Sequence, residues 1–171
     1  VDVILDSASV ETGAVAVHKE ELVLSQFFDE LKNSWDGIVV NPNVTLEWDY
    51  PAPLPVVVSD PGKLKIILQN LINNALKFTD TGEVRVSARH NPNYEKMVLT
   101  VSDTGIGIAP SQLPFVFDKF WQVDATRTRT QGGIGMGLYI VKAFTELLGG
   151  NVTVTSTVGQ GTSFRVELPT V

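Results

Sequence analysis

Between Ser59 and Lys77 the chain leaves itself little conformational choice. Ser59, Asp60 and Pro61 combine side chains that cap a helix with a proline suited to the first helical position. Leu64, Ile67, Leu68, Leu71, Ile72 and Ala75 follow at i, i+3, i+4, i+7, i+8 and i+11. This unbroken apolar face predicts a long amphipathic helix, which must bury that face against a second layer. The residues that follow provide one. "EVRVSAR" (83–89) and "KMVLTVSD" (96–103) alternate as strands, after a turn at "DTG" (80–82) and joined by "HNPNYE" as a hairpin loop. Residues 138–148 read as another helix, ended by Gly149 and Gly150. "NVTVTST" (151–157), "VGQG" and "TSFRVEL" (162–168) form a closing hairpin.

The first third is less regular. Residues 1–11 look like the end of a helix stopped near Gly13, and "AVAVH" (14–18) suits a short strand. Residues 20–35 carry Leu22, Leu24, Phe27, Phe28 and Leu31 at near-helical spacing. "NPN" (41–43) is a turn, "VTLEW" (44–48) a strand, and the proline-rich "YPAPLP" (50–55) a loop. Strands and helices are mixed and hairpins dominate. The expected fold is therefore an α/β (α+β) two-layer sandwich, with a mixed, mostly antiparallel sheet covered by helices on one face.

Composition excludes several classes of function. The chain has 171 residues, enough for one domain with a real core. A net charge of −6 argues against a nucleic-acid partner held by bulk positive charge. With no cysteine there are no disulfides, thiolate metal sites or cysteine nucleophiles. No run of about 18 apolar residues is present. The opening "VDVILDSASVETG" lacks a methionine and a basic leader, so the chain is expected to be a piece of something longer.

Three segments carry candidate chemistry. At 100° per residue, Asn70, Asn74 and Lys77 fall within about 60° of one another, beside the apolar face. Two carboxamides and an ammonium in line suit a metal–phosphate complex, because amide oxygens can serve Mg²⁺ without adding negative charge beside phosphates. An ordinary solvated helix face gives the same pattern. "SDTGIGIAP" (102–110) follows a strand directly. Asp103 there can accept from the exocyclic amine of an adenine, with Gly105 and Gly107 letting backbone approach a flat ligand, or it can close a simple Asx turn. "TRTRTQGGIGMGLYIVKAF" (126–144) is neither of the common phosphate loops. A Walker A loop needs Lys-Ser/Thr where Leu138 and Tyr139 stand, and a dinucleotide fingerprint needs a preceding strand and a glycine at 138. What remains is a flexible arm, with Arg127 and Arg129 as cations, leading through Gly133, Gly135 and Gly137 to a helix N-terminus. That reads as a lid over a triphosphate, hinged at the glycines.

Taken together these segments resemble a known family. "LQNLINNALKFT" (68–79) resembles the N box of sensor histidine kinases, "DTGIGI" (103–108) their G1 box, "FVFDKFWQVD" (115–124) their F box and "GGIGMGL" (132–138) their G2 box. "GGNVTVTSTVGQGTSFRVELP" (149–169) is similar to the family's closing hairpin, and the resemblance covers roughly residues 12–169 in the family's order. The family belongs to a wider superfamily with type II topoisomerases, mismatch-repair ATPases and a heat-shock chaperone.

The resemblance implies the superfamily's α/β sandwich and an ATP and Mg²⁺ site. Asn74 would bind Mg²⁺ with Asn70 assisting, Lys77 would contact phosphate, and Asp103 would hold the adenine amine. Gly105 and Gly107 would shape the base pocket, with Phe78 and Thr162 contacting the base. Phe117 and Phe120 would anchor the lid, and Gly133, Gly135, Gly137 and Leu138 would form the phosphate-facing turn. Phe117 and Phe120 also fit plain core packing. ATPase members carry glutamate where Asn70 stands; an amide is no general base, which favours phosphoryl transfer over hydrolysis. Residues 1–11 would be the end of a truncated dimerisation hairpin and 12–171 the catalytic domain. Its partners would be the phosphoacceptor hairpin of the parent protein and, indirectly, a response-regulator receiver domain. His18 and His90 do not fit the family's acceptor, so the chain is expected not to label itself. Dimerisation in the family comes from the truncated hairpin, so the chain is expected to be monomeric; it is also expected to work in the cytoplasm whether or not the parent is membrane-anchored. Residues 122–134 are expected to be poorly ordered without nucleotide. A hydrolytic or Ser/Thr-directed superfamily member, or a non-catalytic interaction module, remains an alternative.

Overall fold

The computed structural model of the chain describes residues 16–38, 41–51, 54–121 and 137–171. Among the described residues there are two sheets and three α-helices. A short ribbon pairs β1 (Glu20–Val23) antiparallel with β3 (Val56–Ser59). The main sheet has β2 (Val44–Asp49), β4 (Gly82–Asn91), β5 (Lys96–Asp103), β6 (Asn151–Thr157) and β7 (Gly161–Pro169), in the order β2-β4-β5-β7-β6. Only β2 and β4 run parallel; the remaining pairs are antiparallel. The helices are α1 (Leu24–Trp35), α2 (Pro61–Lys77) and α3 (Gly137–Leu147), and they cover one face. Among the described residues no helix is long and apolar enough to cross a membrane.

The α2 helix forms where the sequence demands it. Pro61 sits at its start, and Asp60 rather than Ser59 is the cap, with Oδ1 accepting the Lys63 N–H at 3.1 Å. All six predicted apolar positions are buried. At about 1.5–3 kcal/mol for each fully buried large side chain, this face is a major part of what holds the layers together. It packs on α3 and on β4 and β5, whose inward residues Val84, Val86, Ala88, Met97, Leu99 and Val101 alternate along the strands. The α3 helix ends in a Schellman pair, Gly150 N–H to Thr145 C=O and Gly149 N–H to Glu146 C=O, with Gly149 at φ +83°.

The first third differs from the sequence reading. Residues 20–23 form β1 instead of the first turn of the helix, which begins at Leu24. Residues 16–18 are not a strand. Residues 56–58, unassigned from sequence, form β3 together with Ser59, a candidate helix cap in the sequence. One cause explains these differences. The two four-residue segments pair with each other in a register that matches Glu20 to Ser59, and this non-local pairing takes Leu22 out of the helical spacing that holds from Leu24 onward. Asp60 joins this ribbon to α2, because its Oδ2 accepts the His18 N–H at 2.9 Å and lies 3.3 Å from Lys63 Nζ. Burial alone would raise the Asp60 carboxyl, but the bonds from His18 and Lys63 outweigh it and hold it below its ordinary value. The helix end read at residues 1–11 and the expectation for residues 122–134 lie outside the described residues.

Candidate functional site

The last turns of α2, the end of β5 with its following loop, and the start of β7 converge on one narrow cleft. Asn74, Phe78, Asp103, Gly107, Ile108, Trp121 and Thr162 line about 280 Å³ of open space, counted to its mouth. Five of these come from the sequence reading: Asn74, Phe78, Asp103, Gly107 and Thr162. Ile108 and Trp121 do not. Ile108 is the last residue of the "DTGIGI" run and is buried. Trp121 follows Phe120 directly and holds its indole in place by donating Nε1–H to Gln112 Oε1 at 3.0 Å.

The β5–β7 register places Asp103 opposite Thr162. Asp103 Oδ1 accepts two backbone N–H groups, from Gly105 at 2.9 Å and from Thr162 at 3.3 Å. The Asx turn is therefore real, and it does not compete with a ligand role. Both bonds fall on Oδ1, and among the described residues nothing donates to Oδ2. Burial raises the Asp103 carboxyl, against the two N–H donors that lower it. Thr162 is 7% exposed, and its Oγ1 lies 2.8 Å from Ser156 Oγ.

The glycines of this loop are required by the protein's own packing. A Cβ at Gly105 would run into the Phe78 carbonyl oxygen and stand 2.9 Å from Thr79 Oγ1. Gly107 has φ +75°, and a Cβ there would run into the Thr157 carbonyl oxygen. The loop is thus pressed between the C-cap of α2 and the β6–β7 turn. Ile106 N–H donates to Phe78 C=O at 3.1 Å, and Gly159 N–H donates to Ile106 C=O at 2.8 Å.

At the other end of the polar stripe, Asn70 Nδ2 donates to Ile66 C=O at 2.8 Å. Its amide oxygen is turned toward the start of α3, where a Cβ on Gly137 would stand 3.0 Å away. Lys77 is half-buried, and burial lowers its ammonium below the ordinary lysine value. Leu138 is buried in the core and does not line the cleft. Phe120 lies outside the lining as well: it is 63% exposed at φ +66°, with Lys119 Nζ 5.8 Å from its ring centre. Phe117 packs edge-on against Phe164 at 6.0 Å, as core packing. Arg127, Arg129, Gly133 and Gly135 lie outside the described residues.

Chemically, the cleft has apolar walls from Phe78, Ile108 and Trp121, two of them aromatic, and oxygens from Asp103 and Thr162. It also has the Asn74 carboxamide, one helical turn beyond Asn70. Among the described residues there is no cluster of three or more His, Cys, Asp or Glu side chains able to hold a metal. The donor set is instead amide oxygen, which suits a hard cation that arrives already carrying phosphate and water ligands.

Comparison with known proteins bears on the family and the fold. A model of the family described as histidine kinase-, DNA gyrase B-, and HSP90-like ATPase matches residues 59–171. The chain is 39% identical, over 171 residues, to the autoinducer 2 sensor kinase/phosphatase LuxQ of Vibrio parahaemolyticus, covering 97% of this chain and 20% of that protein. It is 33% identical, over 169 residues, to the sensor protein SrrB of Staphylococcus aureus, covering 99% of this chain and 29% of that protein. The chain thus spans well under a third of the length of these relatives. Full-length ShkA, solved in complex with AMPPNP, superposes with a TM-score of 0.86 at 28% identity, over 98% of this chain and 34% of that one. The nucleotide-free catalytic domain of the histidine kinase ThkA superposes with a TM-score of 0.76 at 22% identity, over 90% of this chain and 96% of that one, a likeness of fold alone. The chain belongs to the histidine kinase-, DNA gyrase B- and HSP90-like ATPase family, as a catalytic domain of the sensor histidine kinase type.

Proposed function

We propose that the domain binds Mg-ATP in this cleft and donates the γ-phosphate to a histidine on a separate phosphoacceptor hairpin of its parent protein. It would then be the catalytic part of a two-component sensor kinase. The observation that carries this reading is Asp103: its Oδ1 is held by two backbone N–H groups, and its Oδ2 is left for the cleft beside Thr162. A half-buried carboxylate with one oxygen open, between apolar walls, suits the exocyclic amine of adenine. ShkA, similar over most of this chain, was solved with an ATP analogue. Asn74 and Asn70 would hold Mg²⁺ through their amide oxygens; the Asn70 oxygen suits this because its Nδ2 is already committed to Ile66. The ion would screen charge on the phosphates. Lys77 would contact a phosphate oxygen, and Gly137, at the start of α3, would stand near the same phosphates.

An imidazole nitrogen needs no base to attack phosphorus: it forms the new P–N bond while the bond to the ADP leaving group breaks. The domain's work is placement and charge screening, and Asn70, an amide, offers no base to activate water. A receiver domain would take the phosphoryl group from the histidine in a later step. Use of ATP places this work on the cytoplasmic side of any membrane that the parent is anchored in.

The test mixes the chain with Mg-ATP and candidate acceptor hairpins and follows acid-labile phosphate on histidine. Transfer to a hairpin, with no stable label on His18 or His90, supports the reading. Steady hydrolysis of ATP by the chain alone, abolished by Asn70→Ala, would make it a hydrolase instead.

A further inference from the structure

Ser156 lies behind the cleft and does not line it, yet three hydrogen bonds meet at its hydroxyl. Ile108 N–H donates to Ser156 Oγ at 2.7 Å, Ser156 Oγ donates to Gly161 C=O at 3.0 Å, and Thr162 Oγ1 lies 2.8 Å away. A serine hydroxyl has one proton and two lone pairs. With its proton on the Gly161 carbonyl and one lone pair taken by Ile108, the remaining contact is filled by the proton of Thr162. That leaves Thr162, which lines the cleft, facing it with lone pairs only. An ionised Asp103 also only accepts. The polar end of the cleft therefore consists of two acceptors side by side.

We infer that Ser156 is a positioning residue for nucleobase selectivity: by taking the Thr162 proton it makes Thr162 a second acceptor, matched to a group with two hydrogens. A 6-amino purine has two N–H bonds at that position, whereas a 6-oxo purine puts lone pairs there. This rests on the adenine-nucleotide reading of the cleft. Without Ser156 the Thr162 hydroxyl is free to rotate and donate inward, which tolerates a 6-oxo group. The same hydroxyl also joins the loop of Ile108 to the β6–β7 hairpin, so its direction is fixed by backbone on two sides.

Calorimetry with ATP and with ITP, which differ at this edge of the base, separates the possibilities. The wild-type chain is expected to prefer ATP by at least ~50-fold, as sites built on hydrogen bonds to one group reject the analogue lacking it. Ser156→Ala should narrow that ratio about tenfold, through weaker ATP and equal or stronger ITP binding. Thr162→Val, which deletes the second acceptor with Ser156 in place, should narrow it as well, and it decides the matter if Ser156→Ala does not fold. An unchanged ratio, or parallel weakening of both nucleotides, overturns the inference and leaves the adenine cleft standing. Wild-type protein that binds no ATP, or an Asp103→Ala variant with undiminished ATP affinity, removes the cleft reading and this inference with it.

Discussion

Replacing Asp103 by asparagine separates the two jobs of this side chain. The asparagine Oδ1 can accept the same N–H groups, from Gly105 at 2.9 Å and Thr162 at 3.3 Å, so the loop keeps its tie to β7. The atom turned to the cleft changes from a carboxylate oxygen to an NH₂. A hydrogen bond to a charged acceptor is worth about 1.5–3 kcal/mol, so losing it lowers ATP affinity about 10- to 150-fold, and donor facing donor adds to this. Stability should move the other way. Burial raises the folded-state pKa of Asp103 above its unfolded value of 3.8, so the folded chain binds more protons than the unfolded chain in the window just above 3.8. Asp103 therefore costs stability as pH rises through that window, and the full cost persists at neutral pH. Asparagine has no such cost, so Asp103→Asn should resist urea at pH 7 at least as well as wild type. Its stability should also lose that segment of pH dependence. ATP binding needs the ionised form, so wild-type affinity should fall on acidification at a higher pH than an ordinary carboxylate would give. Comparing wild type with Asp103→Asn cancels the nucleotide's own titration. Calorimetry at a series of pH values and urea unfolding give both readouts. ATP affinity within threefold of wild type would refute the placement of the base, and a large loss of stability would refute the assignment of the two oxygens.

The other predictions test the frame around the cleft. Gly105→Ala puts a methyl group into the Phe78 carbonyl and against Thr79 Oγ1, with backbone on the far side, and should destabilise by at least ~2 kcal/mol in urea unfolding. Gly159→Ala, at φ +80° but facing open space, should cost only about 1–2 kcal/mol and leave nucleotide binding intact. Asp60→Ala removes the cap of α2 and strands the His18 N–H, with an expected loss of ~2–3 kcal/mol by the same assay. The folded pKa of Asp60 is depressed, so its contribution is present above the unfolded value and lost as pH falls through the folded one. Asp60→Asn should therefore flatten the acid limb of the stability profile.

What could be read in advance follows the range of the interactions involved. The α2 helix was legible because its cap, its proline and its apolar spacing are local and agree; β5 and β6 were legible because alternation over seven or eight residues fixes both strand and face. The ribbon of β1 and β3 was not. Each strand has four residues, too few for a pattern, and the two find each other across the whole of α1 and β2. Ile108 and Trp121 were missed for a related reason. An apolar side chain carries no mark that distinguishes a ligand wall from a core, and only the fold of the 104–121 segment turns these two toward Asp103.

The glycines have a structural reason of their own. Gly105 and Gly107 were expected to let backbone approach a flat ligand; within the protein, the atoms that exclude a Cβ there are the carbonyls of Phe78 and Thr157. The loop is clamped from both sides: Phe78 and Ile106 tie it to α2, and Ile106 with Gly159 and Ile108 with Ser156 tie it to the β6–β7 hairpin. Asp103 is held beside this clamp by Gly105 of the loop and Thr162 of β7. The backbone around Asp103 is therefore already fixed, and a ligand entering this end of the cleft has little backbone left to order, which removes a usual cost of binding. It follows that glycine substitutions here act on nucleotide affinity only through the fold. Gly105→Ala protein that stays folded should bind ATP in proportion to its folded fraction, whereas Asp103→Asn protein should be folded and bind ATP at least about tenfold more weakly.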